Sequence, residues 1–306
     1  MELESVDVLV VGGGPAGLSA ALTLGRVRRR VLVASDGPPR NATSPAAHNV
    51  FTRDGTAPAE LLRIGRDQLA PYDVHVREER VVDARRADDG RFAATFAGGD
   101  TVSVRGIVLA TGVRDLLPDV PGLAQAWGTG VFHCPYCHGW EVAGRPLGVM
   151  GAGDHALHLV RLVRGLSDDV VWFTGGAEVD AGVAESLERS GIRIRPEPVA
   201  SVQASDEGLR SVTLARGADG HEVVSRGGLF VVAPQELASD LGERLGCPVT
   251  ESGRLEADPT GRTPVAGVFV AGDAAPGMQS IPFAMMGGSV AGAMLNHDLI
   301  VEDVPV

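Results

Sequence analysis

Residues 7–17 read DVLVVGGGPAG, a short apolar run followed directly by closely spaced glycines. An apolar run of this length is typical of a strand that is buried in a parallel sheet. The pattern Gly12-x-Gly14-x-x-Gly17 then predicts a tight turn into a helix over 15–26, with a diphosphate bound at the helix N-terminus. A second β-branched run at 30–34 completes a βαβ unit. The stretch therefore predicts a Rossmann-like, dinucleotide-binding domain.

The same order of strand, glycine turn and helix occurs again at 147–173, where the turn is Gly151-Ala152-Gly153. A further apolar strand at 267–271 ends in Gly272-Asp273 and precedes a predicted apolar helix over 281–299. Because this last segment repeats the order of strand, glycine turn and helix of the first segment, we expect the chain to return to the first domain. We predict an α/β fold with two Rossmann-like domains: a discontinuous domain of residues 1–115 and 246–306, and an inserted NAD(P)-type domain of residues 116–245.

Composition excludes several classes of function. The formal charge of −12 disfavours binding to nucleic acid or to an anionic membrane, and no apolar run approaches the length of a membrane-spanning helix. All 27 basic residues are arginine, which excludes chemistry that needs a lysine amine. The first residues lack the regions of a signal peptide, so we expect a cytoplasmic protein.

Cys134-Pro135-Tyr136-Cys137 is the segment most indicative of chemistry. Two cysteines at this spacing can close a small, reducible disulfide. A zinc site is the competing interpretation, but it needs a second pair of ligands, and the remaining cysteine, Cys247, is isolated. His138 directly follows the pair and is better interpreted as an acid/base than as a surface histidine on a turn.

The order of motifs resembles the low-molecular-weight thioredoxin reductase family along essentially the whole chain. The first glycine turn, Ala110-Thr111-Gly112, an inserted domain with Cys-x-x-Cys, and Gly272-Asp273 follow one another in that order. More narrowly, residues 132–141, FHCPYCHGWE, are similar to the gliotoxin-type and holomycin-type dithiol oxidases, in which a histidine replaces the aspartate that follows the second cysteine in ordinary thioredoxin reductases. The resemblance implies FAD as cofactor and a homodimer.

The resemblance also implies residue roles. Cys137 would face the flavin, Cys134 would exchange with substrate, and Asp273 would hold the ribityl hydroxyls of FAD. The acidic residue expected after the second strand is replaced by Ser35, with Asp36 one position later. The candidate catalytic residues are Cys134, Cys137 and His138, and the candidate FAD-binding residues are Gly12, Gly14, Pro15, Ala16, Gly17, Ser35, Asp36, Arg40, Asn41, Val82, Ala110, Thr111, Gly112, Gly272, Asp273, Gln279, Ser280 and Ile281.

The inserted domain lacks the arginines that select NADPH. Residues 172–178, WFTGGAE, carry no cation, so NADPH binding is expected to be weak or lost, while NADH is not excluded. We therefore predict an FAD-dependent dithiol oxidase that closes a disulfide in a small natural product and passes the electrons to O2, giving H2O2. An NAD(P)H-dependent reductase of thioredoxin or another disulfide is the main alternative, and a flavin-binding redox sensor is the third.

Overall fold

The computed structural model describes residues 5–205, 208–217 and 220–305. Within them the chain forms two compact units. The first unit contains residues up to 42, residues 50–114 and residues from 235 onward, and the second unit contains residues 43–49 and 115–234. These units differ from the predicted domain ranges at residue 235 and at the 43–49 segment.

Both differences have a physical cause that local patterns do not carry. The chain returns to the first unit at residue 235 rather than 246 because the strand Gln235–Leu237 pairs with the strand Val113–Asp115. The 43–49 segment groups with the second unit because Ser44 and His48 bond to side chains there. Contacts between residues far apart in sequence therefore set these boundaries.

The first unit is built on a sheet with the strand order β3-β2-β1-β6-β5-β4. Strands β1, β2 and β3 are parallel to one another, β6 is parallel to β1, and β4 and β5 continue the sheet in antiparallel register. The strand, glycine turn, helix and second strand predicted over residues 7–34 are confirmed. The elements are β1 Ser5–Val11, α1 Pro15–Arg26, β2 Val31–Ala34, α2 Pro58–Asp67, β3 Val74–Arg77, β4 Val81–Arg86, β5 Phe92–Phe96, β6 Thr101–Leu109 and β7 Val113–Asp115.

The second unit combines a parallel sheet with an antiparallel one. The parallel sheet has the order β11-β10-β9-β15-β8, and the antiparallel sheet has the order β12-β13-β14. Apolar side chains of β9, β10 and β15 are buried, as expected for strands covered on both faces. The elements are α3 Leu123–Ala126, β8 Val131–Phe132, α4 Pro135–His138, β9 Leu147–Met150, α5 Gly153–Arg164, β10 Val170–Phe173, α6 Ala181–Arg189, β11 Ile192–Arg195, β12 Val199–Ser205, β13 Gly208–Arg216, β14 Gly220–Ser225 and β15 Gly228–Val231.

The C-terminal part completes the first unit. It contains β16 Gln235–Leu237, α7 Leu241–Arg244, β17 Val268–Val270 and α8 Ile281–Asp303, and β17 pairs with β6 in parallel. Helix α8 is longer than the predicted 281–299 because Asp303 forms ion pairs with Arg29 and Arg105, at 2.8 and 2.7 Å. Within the described part of the chain, no helix has the length and apolar character needed to cross a membrane.

Helices α1 and α8 pack with almost no space between their backbones. A Cβ on Gly288 would lie 2.0 Å from the carbonyl oxygen of Ala16, and a Cβ on Gly292 would lie 2.9 Å from that of Ala20. Glycine at these two positions of α8, one helical turn apart, is therefore required by the close approach rather than by backbone conformation.

We expect Gly288→Ala to lower the free energy of unfolding by about 1–3 kcal/mol, because the added methyl group overlaps the Ala16 carbonyl. Urea unfolding followed by circular dichroism measures the change. Gly287→Ala is the matched control, since its Cβ would meet its nearest neighbour, the Gly272 nitrogen, at 3.5 Å. The control should be neutral or slightly stabilising through helix propensity. Equal unfolding midpoints for the two variants would contradict the packing argument.

Candidate functional site

The first glycine turn is shaped by two close backbone contacts. Gly12 has a φ of 118°, and a Cβ there would lie 2.1 Å from the Ala110 carbonyl oxygen. A Cβ on Gly17 would lie 1.8 Å from the carbonyl oxygen of Gly12. Neither position accepts a side chain, so the turn and the start of α1 are held in one tight arrangement.

Gly14 differs from its neighbours because a Cβ there would meet no atom within 4 Å. Gly14 is the N-cap of α1, no side chain among the described residues caps the helix, and the first turn of α1 contains no acidic residue. The amide groups of a helix N-terminus bind anions well. This end of α1, with Pro15 and Ala16 in its first turn, therefore has the space and the electrostatics that a dinucleotide diphosphate requires.

Two later motifs converge on the same turn. The Ala110 amide donates to the Val11 carbonyl oxygen at 2.8 Å, which brings the Ala110-Thr111-Gly112 turn beside the glycine turn. Gly272 has a φ of 72°, and a Cβ there would lie 2.8 Å from the Cβ of Ala16. The fold thus brings together the three segments that the sequence singled out separately.

A polar cluster of the first unit joins Asp273 to Gln279. One guanidinium nitrogen of Arg40 donates to Asp273 Oδ2 and to Gln279 Oε1, both at 2.9 Å. Gln279 also exchanges amide hydrogen bonds with Gln235, whose Oε1 accepts from Arg254. Sequence reasoning singled out Arg40, Asp273 and Gln279 but missed Gln235 and Arg254. No local motif marks them, because they meet the cluster only through the fold.

The remaining candidates of the first unit are scattered around these motifs. Ser35 is buried against Gly13, whose Cβ would lie 2.4 Å from its hydroxyl oxygen, and Asp36 is paired with Arg80. The Val82 carbonyl oxygen accepts from Arg244, and Asn41 lies in the turn that follows Arg40. Ser280 caps α8, which begins at Ile281, by accepting a hydrogen bond from the Phe283 amide.

The glycine turn of the second unit has different electrostatics. Helix α5 begins at Gly153 and has Asp154 in its first turn, so a negative charge lies near the helix N-terminus and disfavours an anion there. The indole nitrogen of Trp172 donates to the Gly151 carbonyl oxygen at 2.9 Å. Arg195, which is next to Phe173 in the sheet register, is bonded to Glu197 and Glu222. This turn has the shape of a nucleotide site without its positive charge.

Cys134 and Cys137 form a disulfide, with their Cα atoms 5.3 Å apart. Cys134 is the N-cap of α4, and its carbonyl oxygen accepts from the amides of Cys137 and His138. Among the described residues no group of three or more possible ligands could hold a metal ion. Cys247 is a free, buried cysteine, and burial raises the pKa of its thiol. The disulfide of the second unit therefore joins the two cysteines of the predicted redox pair.

His138 is held on two sides within the second unit. Its Nε2 lies 3.1 Å from the hydroxyl oxygen of Ser44, and its ring stacks on Phe132 with centroids 4.8 Å apart. Burial lowers the pKa of His138 below the ordinary 6.5; Glu141 opposes this shift and His48 adds to it. The imidazole is therefore neutral near pH 7, as a proton acceptor must be.

Two further side chains bring the 43–49 segment to the cysteine helix. His48 Nε2 lies 3.3 Å from Glu141 Oε1, and Ser44 is almost fully buried. From the sequence, an approach of His48 to flavin or substrate and ordinary surface-loop polarity are equally good explanations, and neither Ser44 nor Glu141 is singled out. Their sequence separation from the cysteines leaves no local signal.

Comparison with known proteins identifies the family. The model of the pyridine nucleotide-disulphide oxidoreductases matches residues 6–288. The chain belongs to this family. It is accordingly a flavin-dependent thiol-disulfide oxidoreductase with the predicted α/β, thioredoxin reductase-like fold.

Three similar proteins show how closely the family members agree. The thioredoxin reductase tcpT of Claviceps purpurea is 34% identical, over 97% of this chain and 95% of the relative. The solved structure of HlmI is 37% identical with a TM-score of 0.92, covering 99% of this chain and 95% of HlmI. A putative thioredoxin reductase TrxB from Bacillus anthracis is 30% identical, also with a TM-score of 0.92, covering 98% of this chain and all of that one.

We expect Gly14→Ala to reduce the flavin content of the purified protein at least several-fold. The added methyl group meets open space in the protein but occupies the approach of a diphosphate. Absorbance of flavin per protein measures the effect, and unfolding of the apoprotein should change by no more than about 1 kcal/mol. Gly287→Ala should retain its flavin. Full flavin content in Gly14→Ala would contradict the assignment.

The pKa of His138 predicts how disulfide exchange depends on pH. Because burial depresses this pKa, the neutral base persists as pH falls and is lost only below pH 6.5. We expect the ratio of the wild-type rate to the His138→Gln rate, for reduction of the pair by dithiothreitol, to fall only below that pH. Glu141→Gln should move the fall to still lower pH, because it removes the charge that raises the pKa. His158→Gln, on the surface of α5, is the control. A ratio that does not vary with pH would rule out His138 as the base.

Proposed function

We propose that this protein is an FAD-dependent dithiol oxidase, which closes an intramolecular disulfide in a small dithiol and uses O2 as electron acceptor. The overall reaction takes two hydrogens from the dithiol and gives one disulfide and one H2O2. Two features support the proposal, the cysteine pair and the charges at the second glycine turn.

The observation that carries the proposal is the contrast between the two glycine turns. The turn before α1 offers Gly14 and an uncapped helix without an acidic first turn, whereas the turn before α5 places Asp154 in that position. A diphosphate is attracted to the first helix and repelled at the second. With Arg195 already paired to glutamates, a 2′-phosphate also lacks its usual partner. This favours dithiols over a nicotinamide as the source of electrons.

The cysteine pair accounts for the first half of the reaction. A substrate thiol gives its proton to His138, and the thiolate attacks Cys134 Sγ. The Cys134–Cys137 bond breaks and its electron pair leaves on Cys137. The second thiol of the substrate then attacks the substrate sulfur of the mixed disulfide with Cys134. The substrate leaves as a disulfide, and both cysteines are left reduced. The helical hydrogen bonds from Cys137 and His138 to the Cys134 carbonyl oxygen keep these groups on one turn.

The residues of the first unit fit FAD. Gly12, Gly14 and Gly17 would hold its diphosphate, and Asp273 would hold the ribityl hydroxyls, with Arg40 and Gln279 beside it. When bound, a flavin accepts two electrons from a dithiol and passes them to O2.

The protein is further proposed to act as a homodimer, as the family resemblance implies. Helix α8 exposes apolar side chains that a second copy would cover, among them Phe283, Met285, Met286, Ile300 and Val301.

A reductase of thioredoxin or of another disulfide is the second candidate. The observation that favours it is the similarity to relatives such as tcpT, which is named a thioredoxin reductase and is 34% identical. It runs the electrons from a nicotinamide to a disulfide, the reverse of the oxidase direction. It therefore needs a working nucleotide site at the α5 turn.

An anaerobic titration of the flavin-loaded protein separates the two functions. We expect NADPH and NADH to leave the visible flavin absorbance unchanged, a small dithiol to bleach it, and air to restore it with formation of H2O2. Cys137→Ser should abolish bleaching by the dithiol, and Cys247→Ser should not, because Cys247 lies outside the pair. Rapid, stoichiometric bleaching by a nicotinamide would establish the reductase instead, and dithiol oxidation at full rate by Cys137→Ser would overturn the role of that sulfur.

A further inference from the structure

Ser44 is the hydrogen-bond partner that the structure records for His138, and it comes from a segment distant in sequence. The Ser44 hydroxyl oxygen lies 3.1 Å from His138 Nε2. Nδ1 of the same ring is buried, and it is without a hydrogen-bond partner among the described residues. The two ring nitrogens therefore differ in hydrogen bonding: Nε2 has Ser44 as its partner, and Nδ1 has no partner among the described residues.

An unsatisfied buried nitrogen is unfavourable unless it gains a partner in another state of the protein. His138 follows Cys134 by four residues on α4, and its amide donates to the Cys134 carbonyl oxygen. Helical side chains at this spacing share a face and point back toward the helix N-terminus. His138 therefore lies one helical turn from Cys134, and only the reduced pair has a sulfur that can bind or release a proton.

We propose that Ser44 is a positioning residue that accepts a hydrogen bond from Nε2 of His138, so that Nδ1 exchanges a proton with the cysteine pair when the disulfide opens. The proposal rests on the proposed exchange at Cys134 and Cys137 and does not depend on the electron acceptor. A buried N–H without an acceptor is rarer than an acceptor without a donor, which places the proton of the neutral ring on Nε2. When a thiol opens the disulfide, its proton resides on Nδ1 of His138 and one cysteine becomes a thiolate. The imidazolium and the thiolate then form an ion pair.

The groups around this ion pair have opposite effects on the protonation of the His138 ring. Glu141 stabilises the protonated ring and the nearby His48 destabilises it, while burial favours the neutral form. The hydrogen bond to Ser44 favours the protonated ring, since a charged donor forms the stronger bond. Phe132 fixes the ring plane by stacking and carries no charge.

Nitrogen NMR of the oxidised wild-type protein tests the tautomer directly. We expect His138 to be neutral near pH 7 with its proton on Nε2. A proton on Nδ1 would overturn the proposal without the need for any variant.

Alkylation of the reduced pair by iodoacetamide, measured against pH, tests the positioning role. Ser44→Ala should raise the midpoint of thiolate formation by about half to one pH unit, which is a fall of about three- to tenfold in the alkylation rate at acid pH. Ser44→Thr, which keeps the hydroxyl, should restore the wild-type profile. The matched control is Ser211→Ala, a serine of β13 that is buried to a similar extent in the same unit.

The outcomes are distinct. A wild-type profile in Ser44→Ala, or an equal shift in Ser211→Ala, would overturn the positioning role. A shifted profile together with failure of O2 to reoxidise the protein would retain it and reject only the oxidase. If Ser44→Ala does not fold, the tautomer of the wild-type protein and the Ser44→Thr profile still decide the question.

Discussion

The approach of backbone to backbone at glycine positions is the constraint on which the first unit depends. Gly17 lies so close to the Gly12 carbonyl, and Gly288 so close to the Ala16 carbonyl, that only a hydrogen atom fits. The first contact sets where α1 starts relative to β1, and the second sets α8 against α1. Because Gly272 also lies against Ala16, the turn that bears Asp273 is fixed by the same packing. The shape of the proposed FAD site therefore follows from contacts within the protein.

The second unit combines the backbone shape of a nucleotide-binding turn with charges that differ from those of the first turn. Gly151 and Gly153 still form the turn before α5, and the strands around it are buried as in a working nucleotide domain. The charges differ from those at the turn before α1. Asp154 lies in the first turn of α5, and Arg195 is bonded to two glutamates. Packing and electrostatics are separable, and the domain can persist because it carries the cysteine pair.

The surroundings of the cysteine helix include a segment that interrupts the first unit in sequence. Residues 43–49 bring Ser44 to His138 and His48 to Glu141, so the ionisation of the candidate base is set partly by residues about ninety positions away. Burial is the largest influence on the pKa of His138, and it arises from packing rather than from sequence neighbours. A short motif can provide the base but not its environment.

The sequence by itself determined the α/β class, the strands and helices around both glycine turns, the redox pair and the resemblance to the family. These features depend on periodicity and on residues close together in the chain, such as Gly12, Gly14 and Gly17. Tertiary structure alone decided that the chain returns at residue 235, that Gln235 and Arg254 join the cluster at Asp273, and that Ser44 holds His138. The physical reason is that hydrogen bonds and burial between distant segments form only when the fold brings those segments together, and local pattern carries no record of them.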